Sequence, residues 1–250
     1  MNEERIKKLT AVLKQLNEGV TEEARREALN IVSNIDPIEL SVAEQRLIEQ
    51  GMNPQELRNL CDIHMEVLSD ELIKLKKKIE PGHMLDTLIV EHEKIKEFLT
   101  ELEAINLKIQ KLESYNEKPE LFIKLEALAN NIIDAEKHHM REEDVLFPEL
   151  EKRNITGPTR IMRMEHDDLR KRKKILKETA EKISDGNFTE CKAVIDETAK
   201  YIVFNLRDHI YKENYILYPT ALDAINDVSL WAQMKERCDE IGYCPFTPGK

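Results

Sequence analysis

From residue 85 onward the apolar positions recur at intervals of three and four, the period of a helix that buries one face. Leu85, Leu88, His92, Ile95, Leu99, Leu102 and Ile109 form one such stripe, with Asn106 at its remaining core position. A second runs through Leu121, Leu125, Leu128, Ile132 and Ala135, and a third through Met162, His166, Leu169, Leu176, Ala180 and Ile183. A fourth passes through Ile195, Ala199, Ile202, Leu206, His209, Glu213 and Ile216. Turn-forming stretches near residues 116–119, 154–158 and 185–187 separate the stripes. They are short enough for each helix to reverse on its predecessor. The pattern predicts an all-α fold, an up-down-up-down four-helix bundle.

Upstream, Glu80-Pro81-Gly82 interrupts two long helical patterns. The first part reads as short helices at 3–17, 21–34 and 40–50, and a longer one from 54 to about 78. Asn53 is a natural N-cap for the last, and Pro54 suits its first position. The expected organisation is a small helical domain at 1–80, the bundle at 81–225, and a C-terminal tail or connector at 226–250. The apolar faces of the short helices suit docking on the bundle, on a partner protein or on a second copy in a homodimer.

Composition agrees with helix and narrows the function. Of the 250 residues 41% are hydrophobic and 35% charged, with 7 Gly and 9 Pro, so a core is affordable and helix formers dominate. A net charge of −11 argues against a nucleic-acid surface, which needs clustered Lys and Arg. The basic run at 170–174 reads as a solvated helix face. No apolar stretch approaches the ~20 residues of a membrane span, and the start MNEERIKK lacks a signal-peptide core. A soluble cytoplasmic protein without a membrane or nucleic-acid partner is expected. Cys61, Cys191, Cys238 and Cys244 form no CxxC pair and read as free thiols.

Residues 138–148 (HHMREEDVLFP) and 209–219 (HIYKENYILYP) superpose without a gap. Each offers a histidine, a glutamate four residues on and a proline ten residues after the histidine. Positions i and i+4 share a helix face, so each pair can hold a metal through imidazole and carboxylate. Counting the rise of ~1.5 Å per residue along antiparallel helices puts His92, His138, His166 and His209 within about a turn of one level. Burying two carboxylates there without cations costs several kcal/mol each, a cost that a metal removes.

These motifs, EHEKI around His92, HHMREEDVLFP, MEHDDLR around His166 and HIYKENYILYP, resemble the hemerythrin-like, or HHE cation-binding, family over about residues 83–222. The resemblance implies that His92, His138, Glu142, His166, His209 and Glu213 hold two iron ions, with Glu142 and Glu213 bridging. An open position would then bind dioxygen, nitric oxide or peroxide. Oxygen carriers of the family place a further histidine one turn after the third-helix ligand, where this chain has Arg170. That departure favours members that sense or scavenge reactive gases or repair iron–sulfur clusters over a reversible carrier. Residues 36–68 resemble an uncharacterised helical domain that commonly precedes such bundles in prokaryotes. Trp231, Ile241-Gly242-Tyr243 and Pro245 resemble a segment that in relatives connects to a PAS sensory domain.

Several readings stay open on the sequence. The gap-free repeat favours His138 with Glu142, whereas the stripe from Leu121 to Ala135 phases with His139 and Glu143; a one-residue π-bulge would reconcile them. Glu136-x-x-His139 fits a ferritin-like pattern once, but Arg163 and Leu206 break it on the other helices. Manganese is an alternative to iron, and zinc fits a six-ligand set less well. No catalytic residue or organic cofactor is evident. Two other functions compete with gas chemistry: a regulatory interaction module in which the metal is structural or a switch, and a reductase of a small oxidant. Cys61 with His64 reads as packing, His83 as a helix N-terminal residue, and Tyr201, Tyr211, Tyr215 and Tyr218 as neighbours or packing around the site.

Overall fold

The chain divides into two compact units, Met1–Lys78 and Ile79–Lys250. A computed structural model describes residues 75–77 and 79–249. The short N-terminal helices and the Cys61/His64 pair lie outside the described residues.

In the second unit, eight helices make a four-helix bundle with a C-terminal addition: α1 (Met84–Ile109), α2 (Pro119–Ile133), α3 (Glu136–Arg141), α4 (Phe147–Glu151), α5 (Gly157–Lys182), α6 (Phe188–Lys212), α7 (Tyr218–Ala224) and α8 (Val228–Ile241). Helices α2, α3 and α4 together form the second arm, and α6 with α7 the fourth. Each arm packs on two neighbours: α1 on α2 and α6, and α5 on α2 and α6. The up-down-up-down ring predicted from the stripes is thus present. No strand occurs among the described residues, and no helix there is long and apolar enough to cross a membrane.

The helix ends follow from local chemistry. His83 caps α1, its Nδ1 accepting from the Leu85 N–H at 3.2 Å while its ring packs on Trp231. Pro119 opens α2 and Pro158 the first turn of α5, positions where a missing N–H costs nothing. Asp227 caps α8 through the Ser229 and Leu230 N–H groups. Below the histidine level, Ile95, Leu99, Leu102, Leu125, Leu128, Ile132, Leu169, Leu176, Ile195, Ile202 and Leu206 fill the interior. Asn106, predicted inside, is buried and donates to Asp196 at 2.8 Å.

The segment read as a tail or connector packs on the bundle. Trp231 and Met234 of α8, then Cys244 and Thr247, are buried, and Trp231 Nε1 donates to the Ile225 carbonyl. Gly242 ends α8 with a φ of 84°, a conformation that favours glycine and turns the chain back toward α1.

The face assignment is testable in stability. Leu99→Ala, at a fully buried position, is expected to cost ~2–5 kcal/mol. Leu107→Ala, 58% exposed on the same helix, should change stability by no more than ~0.5 kcal/mol. Urea unfolding of the two variants measures both.

Candidate metal centre

The two repeated segments adopt one unusual local structure. In each, the α-helix widens into a single π turn, Glu142–Leu146 and Glu213–Leu217, immediately after the His-to-Glu step. The Phe147 N–H reaches back to the Glu142 carbonyl, and the Tyr218 N–H to that of Glu213. The prolines account for the position. Pro148 and Pro219 have no N–H to donate and would press on the carbonyl four residues earlier, a conflict that a wider turn relieves. Carbonyls released in the first turn find side chains: Arg163 donates to that of Glu143 at 3.0 Å, and Arg237 to that of Asp144.

The second arm is also interrupted at residues 134–135, between α2 and α3, upstream of the histidines and of the π turn. His138 and His139 are both buried, and Glu142 enters the interior while Glu143 passes to its side. In the fourth arm the same shift replaces Ile216, expected in the core, by Leu217 and Tyr218, whereas Ile216 is only half-buried.

The six residues of the sequence-derived set converge. His92 Nε2 lies 3.1 Å from His138 Nε2 and 3.0 Å from Glu213 Oε2. His166 Nε2 lies 2.8 Å from His209 Nε2, 3.6 Å from Glu142 Oε2 and 3.7 Å from Glu213 Oε1. His209 Nε2 is 2.8 Å from Glu213 Oε1, and His138 Nε2 is 3.6 Å from Glu142 Oε2. Two metal-competent groups result: His92, His138 and Glu213, and Glu142, His166, His209 and Glu213. Glu213 belongs to both.

The outward nitrogens show why the inward ones are free. His138 Nδ1 meets Glu91 Oε2 at 2.8 Å, His166 Nδ1 meets Glu143 Oε1 at 2.7 Å, His209 Nδ1 meets Glu165 Oε2 at 2.7 Å, and His92 Nδ1 meets Asn214 Oδ1 at 2.9 Å. Each acceptor adjoins a candidate ligand on its own arm and orients the histidine of the next arm. The four bonds close a ring around the bundle. These bonds favour a proton on each Nδ1 and turn each Nε2 inward, the orientation that metal ligation requires.

Charge is balanced outside this ring and unbalanced within it. Arg141 bonds both oxygens of Glu91 at 2.6 Å, Arg170 meets Glu143 at 3.0 Å, and Lys212 meets Glu165 at 2.6 Å; the uncharged Asn214 needs no such partner. Against burial, His138 and Arg141 hold the Glu91 carboxyl down at about 2, and His166 and Arg170 hold Glu143 down to a similar value. Inside, burial and the Glu213 charge push Glu142 well above the carboxylate range. Glu213 is held well below it, because His209, His166 and His92 outweigh burial. Glu213 and Glu165 likewise overcome burial to raise His209 to about 9.

These features fit a bound cation. Glu142 Oε2 is buried without a hydrogen-bond partner. Two pairs of Nε2 atoms face each other at hydrogen-bond distance, an arrangement that needs a proton or a metal between them. A metal supplies positive charge and lets both carboxylates ionise. The set of imidazoles and carboxylates, without thiolate, suits iron. Tyr218 donates to Glu142 Oε1 at 2.8 Å and stacks over His92 at 5.7 Å, so one of the four tyrosines borders the centre.

Residues 83–221 match the model of the hemerythrin HHE cation binding domain, more than half of the chain. The chain belongs to this family. Residues 9–74 match a family of unknown function, DUF438. Among curated relatives, the iron-sulfur cluster repair protein YtfE of Yersinia pseudotuberculosis (serotype IB, strain PB1/+) is 28% identical over 137 residues, 52% of this chain and 61% of that protein. YtfE of Yersinia pestis (strain Pestoides F) gives the same identity and coverage. YtfE of Escherichia coli (O139:H28, strain E24377A / ETEC) is 27% identical over 176 residues, 64% of this chain and 79% of that protein. The chain thus spans about 61% of the length of the Yersinia relatives.

Within this hemerythrin-like bundle, residues beyond the six distinguish the chain. Arg170, at the position of the missing histidine, binds Glu136 and Glu143, which takes up the glutamate of the isolated ferritin-like motif. His139 stacks on His166 with ring centroids 4.0 Å apart and forms a third group with His166 and His209, although its Nδ1 has no hydrogen-bond partner. Sequence reasoning did not single out the four acceptors Glu91, Glu143, Glu165 and Asn214 as a set. Their signal is a doublet at each ligand: Glu-His at 91–92 and 165–166, Glu-Glu at 142–143 and Glu-Asn at 213–214. The basic run expected on a solvated face is split, because Lys171 and Lys174 are exposed while Lys173 is buried with an unpartnered Nζ.

Burial lowers Lys173 to about 8 from an ordinary 10.5. Between those values the unfolded chain binds a proton that the folded chain lacks, so this residue makes stability rise with pH there. Metal-free Lys173→Met is therefore expected to be more stable than the parent at pH 7 by ~1–3 kcal/mol. That advantage should shrink from pH 8 to 10.5, measured by urea unfolding across the range.

Proposed function

We propose that this protein carries a non-haem di-iron centre on which dioxygen, nitric oxide or peroxide binds or reacts, serving as a sensor, a scavenger or a repair factor for iron centres. The observation that carries this reading is the pair of inward-facing histidine groups sharing Glu213, with every Nδ1 anchored from outside. In this reading His92 and His138 would hold one ion and His166 and His209 the other, with Glu142 and Glu213 shared between them. Iron held this way would supply Lewis acidity and a one-electron couple to a small ligand. The chain's own residues orient the imidazoles, keep the site dry, and place the Tyr218 hydroxyl beside Glu142. Similarity to proteins named for iron–sulfur cluster repair supports the repair role, and Arg170 in place of a histidine supports it over reversible carriage. The N-terminal domain at 1–80 would then receive a partner protein, in the cytoplasm.

Protein purified without oxygen is expected to contain about two irons per chain and to gain visible charge-transfer bands on exposure to air or nitric oxide. His92→Ala and Glu213→Ala should lose metal and bands yet retain most far-ultraviolet helix signal. Zinc or no metal, with no spectral response, would reject the gas-binding reading. Unfolding of both variants would assign the metal a purely structural role.

A further inference from the structure

We infer that residues 242–249 belong to the centre as a latch: by holding Glu91 against His138, they couple metal binding at the His92/His138 end to docking of the C-terminal segment. The inference rests on the metal reading above and extends it to residues far from any candidate ligand in sequence.

Three side chains of this segment converge on one buried ion pair. Thr247 Oγ1 donates to Glu91 Oε1 at 2.5 Å, while the other oxygen, Oε2, accepts from His138 Nδ1 at 2.8 Å. Arg141 Nη2 contacts Cys244 Sγ at 3.9 Å, and the guanidinium lies over the Tyr243 ring, 4.9 Å from its centroid. The remaining anchor of Arg141 is local, its Nε donating to the Lys137 carbonyl at 3.0 Å. Glu91, Arg141, Cys244 and Thr247 are all buried. Phe246 packs edge-on against Phe98 of α1, and the Thr247 N–H closes a turn onto the Cys244 carbonyl. Burial pushes the Cys244 thiol up to about 12, so it stays protonated and adds no charge to the pair.

An enclosed ion pair keeps its geometry only while its remaining polar valences are filled and water is excluded. The segment provides both. Undocked, it would admit water to Glu91 and Arg141 and remove one of the two donors to Glu91 Oε1, leaving Arg141 alone there and loosening the acceptor that orients His138. Acceptors of this kind change metal affinity about 10- to 100-fold. The coupling is reciprocal: whatever favours the ion favours the docked segment, and the reverse. The other three histidines take their acceptors from Glu143, Glu165 and Asn214 on the other arms, whereas Thr247 bonds Glu91, so the effect is expected at one end.

The test uses the full chain with Thr247→Val, which keeps shape and removes the hydroxyl, and Thr247→Ser, which restores it. Chelator competition should show one of two ions bound about tenfold more weakly in Thr247→Val, with recovery in Thr247→Ser. Hydrogen exchange of residues 242–249 should be slower in the metal-loaded protein than in the metal-free one. Unchanged affinity, or exchange indifferent to metal, overturns the latch while leaving the metal centre standing. Equal weakening of both ions together with a lower metal-free Tm marks a general packing defect and also overturns it. A parent chain that takes up no metal rejects the metal reading, and the latch with it.

Discussion

Each of four buried imidazoles keeps its Nε2 aimed at the interior because its other nitrogen is committed to an acceptor on the neighbouring arm. Without that commitment a buried histidine could rotate, exchange tautomer or protonate, and the inward groups would not share a level. The ring of Glu91, Glu143, Glu165 and Asn214 makes the arrangement collective. Three of its members are charged and bring their own Arg or Lys, so the anchoring layer adds little net charge to the interior. Among the described residues, the buried carboxylates without an Arg or Lys partner are Glu142 and Glu213, where a cation would be bound.

The π turns serve the same end by a backbone route. A regular α-helix through Pro148 or Pro219 would press the proline ring against a carbonyl, and the wider turn removes that conflict. The residue after each glutamate then faces the next histidine, half-buried Glu143 reaching His166 and buried Asn214 reaching His92. The proline ten residues after each histidine thus participates in tautomer selection without approaching the centre.

The architecture was legible because it depends on periodicity. The stripes on α1, α2, α5 and α6 dictate which faces meet, and the spacing of the turns dictates their order. On α1, α5 and α6 the inward His92, His166, His209 and Glu213 were legible for the same reason, whereas His138 and Glu142 came from the gap-free repeat of the two segments, against the phase of the stripe before them. The acceptors escaped notice because Glu91 and Glu165 look like ordinary surface carboxylates, and only pairing across arms reveals what they hold. Lys173 was misjudged because four cationic neighbours disguised its place on the core stripe seven residues after His166. The phase of Ile216 failed because a pattern of constant period cannot register an inserted residue. Residues 226–250 carried too little periodicity to show that they return to α1.

The ring has a consequence for how such a bundle could be taken apart or recombined. Because every arm contributes both a candidate ligand and the acceptor for its neighbour's ligand, no single arm is an autonomous unit of the site. An arm transplanted from another bundle would import its own inward groups correctly and still misorient the next arm. The natural unit of exchange is therefore the seam between two helices, with the doublet on one side and the histidine it steadies on the other.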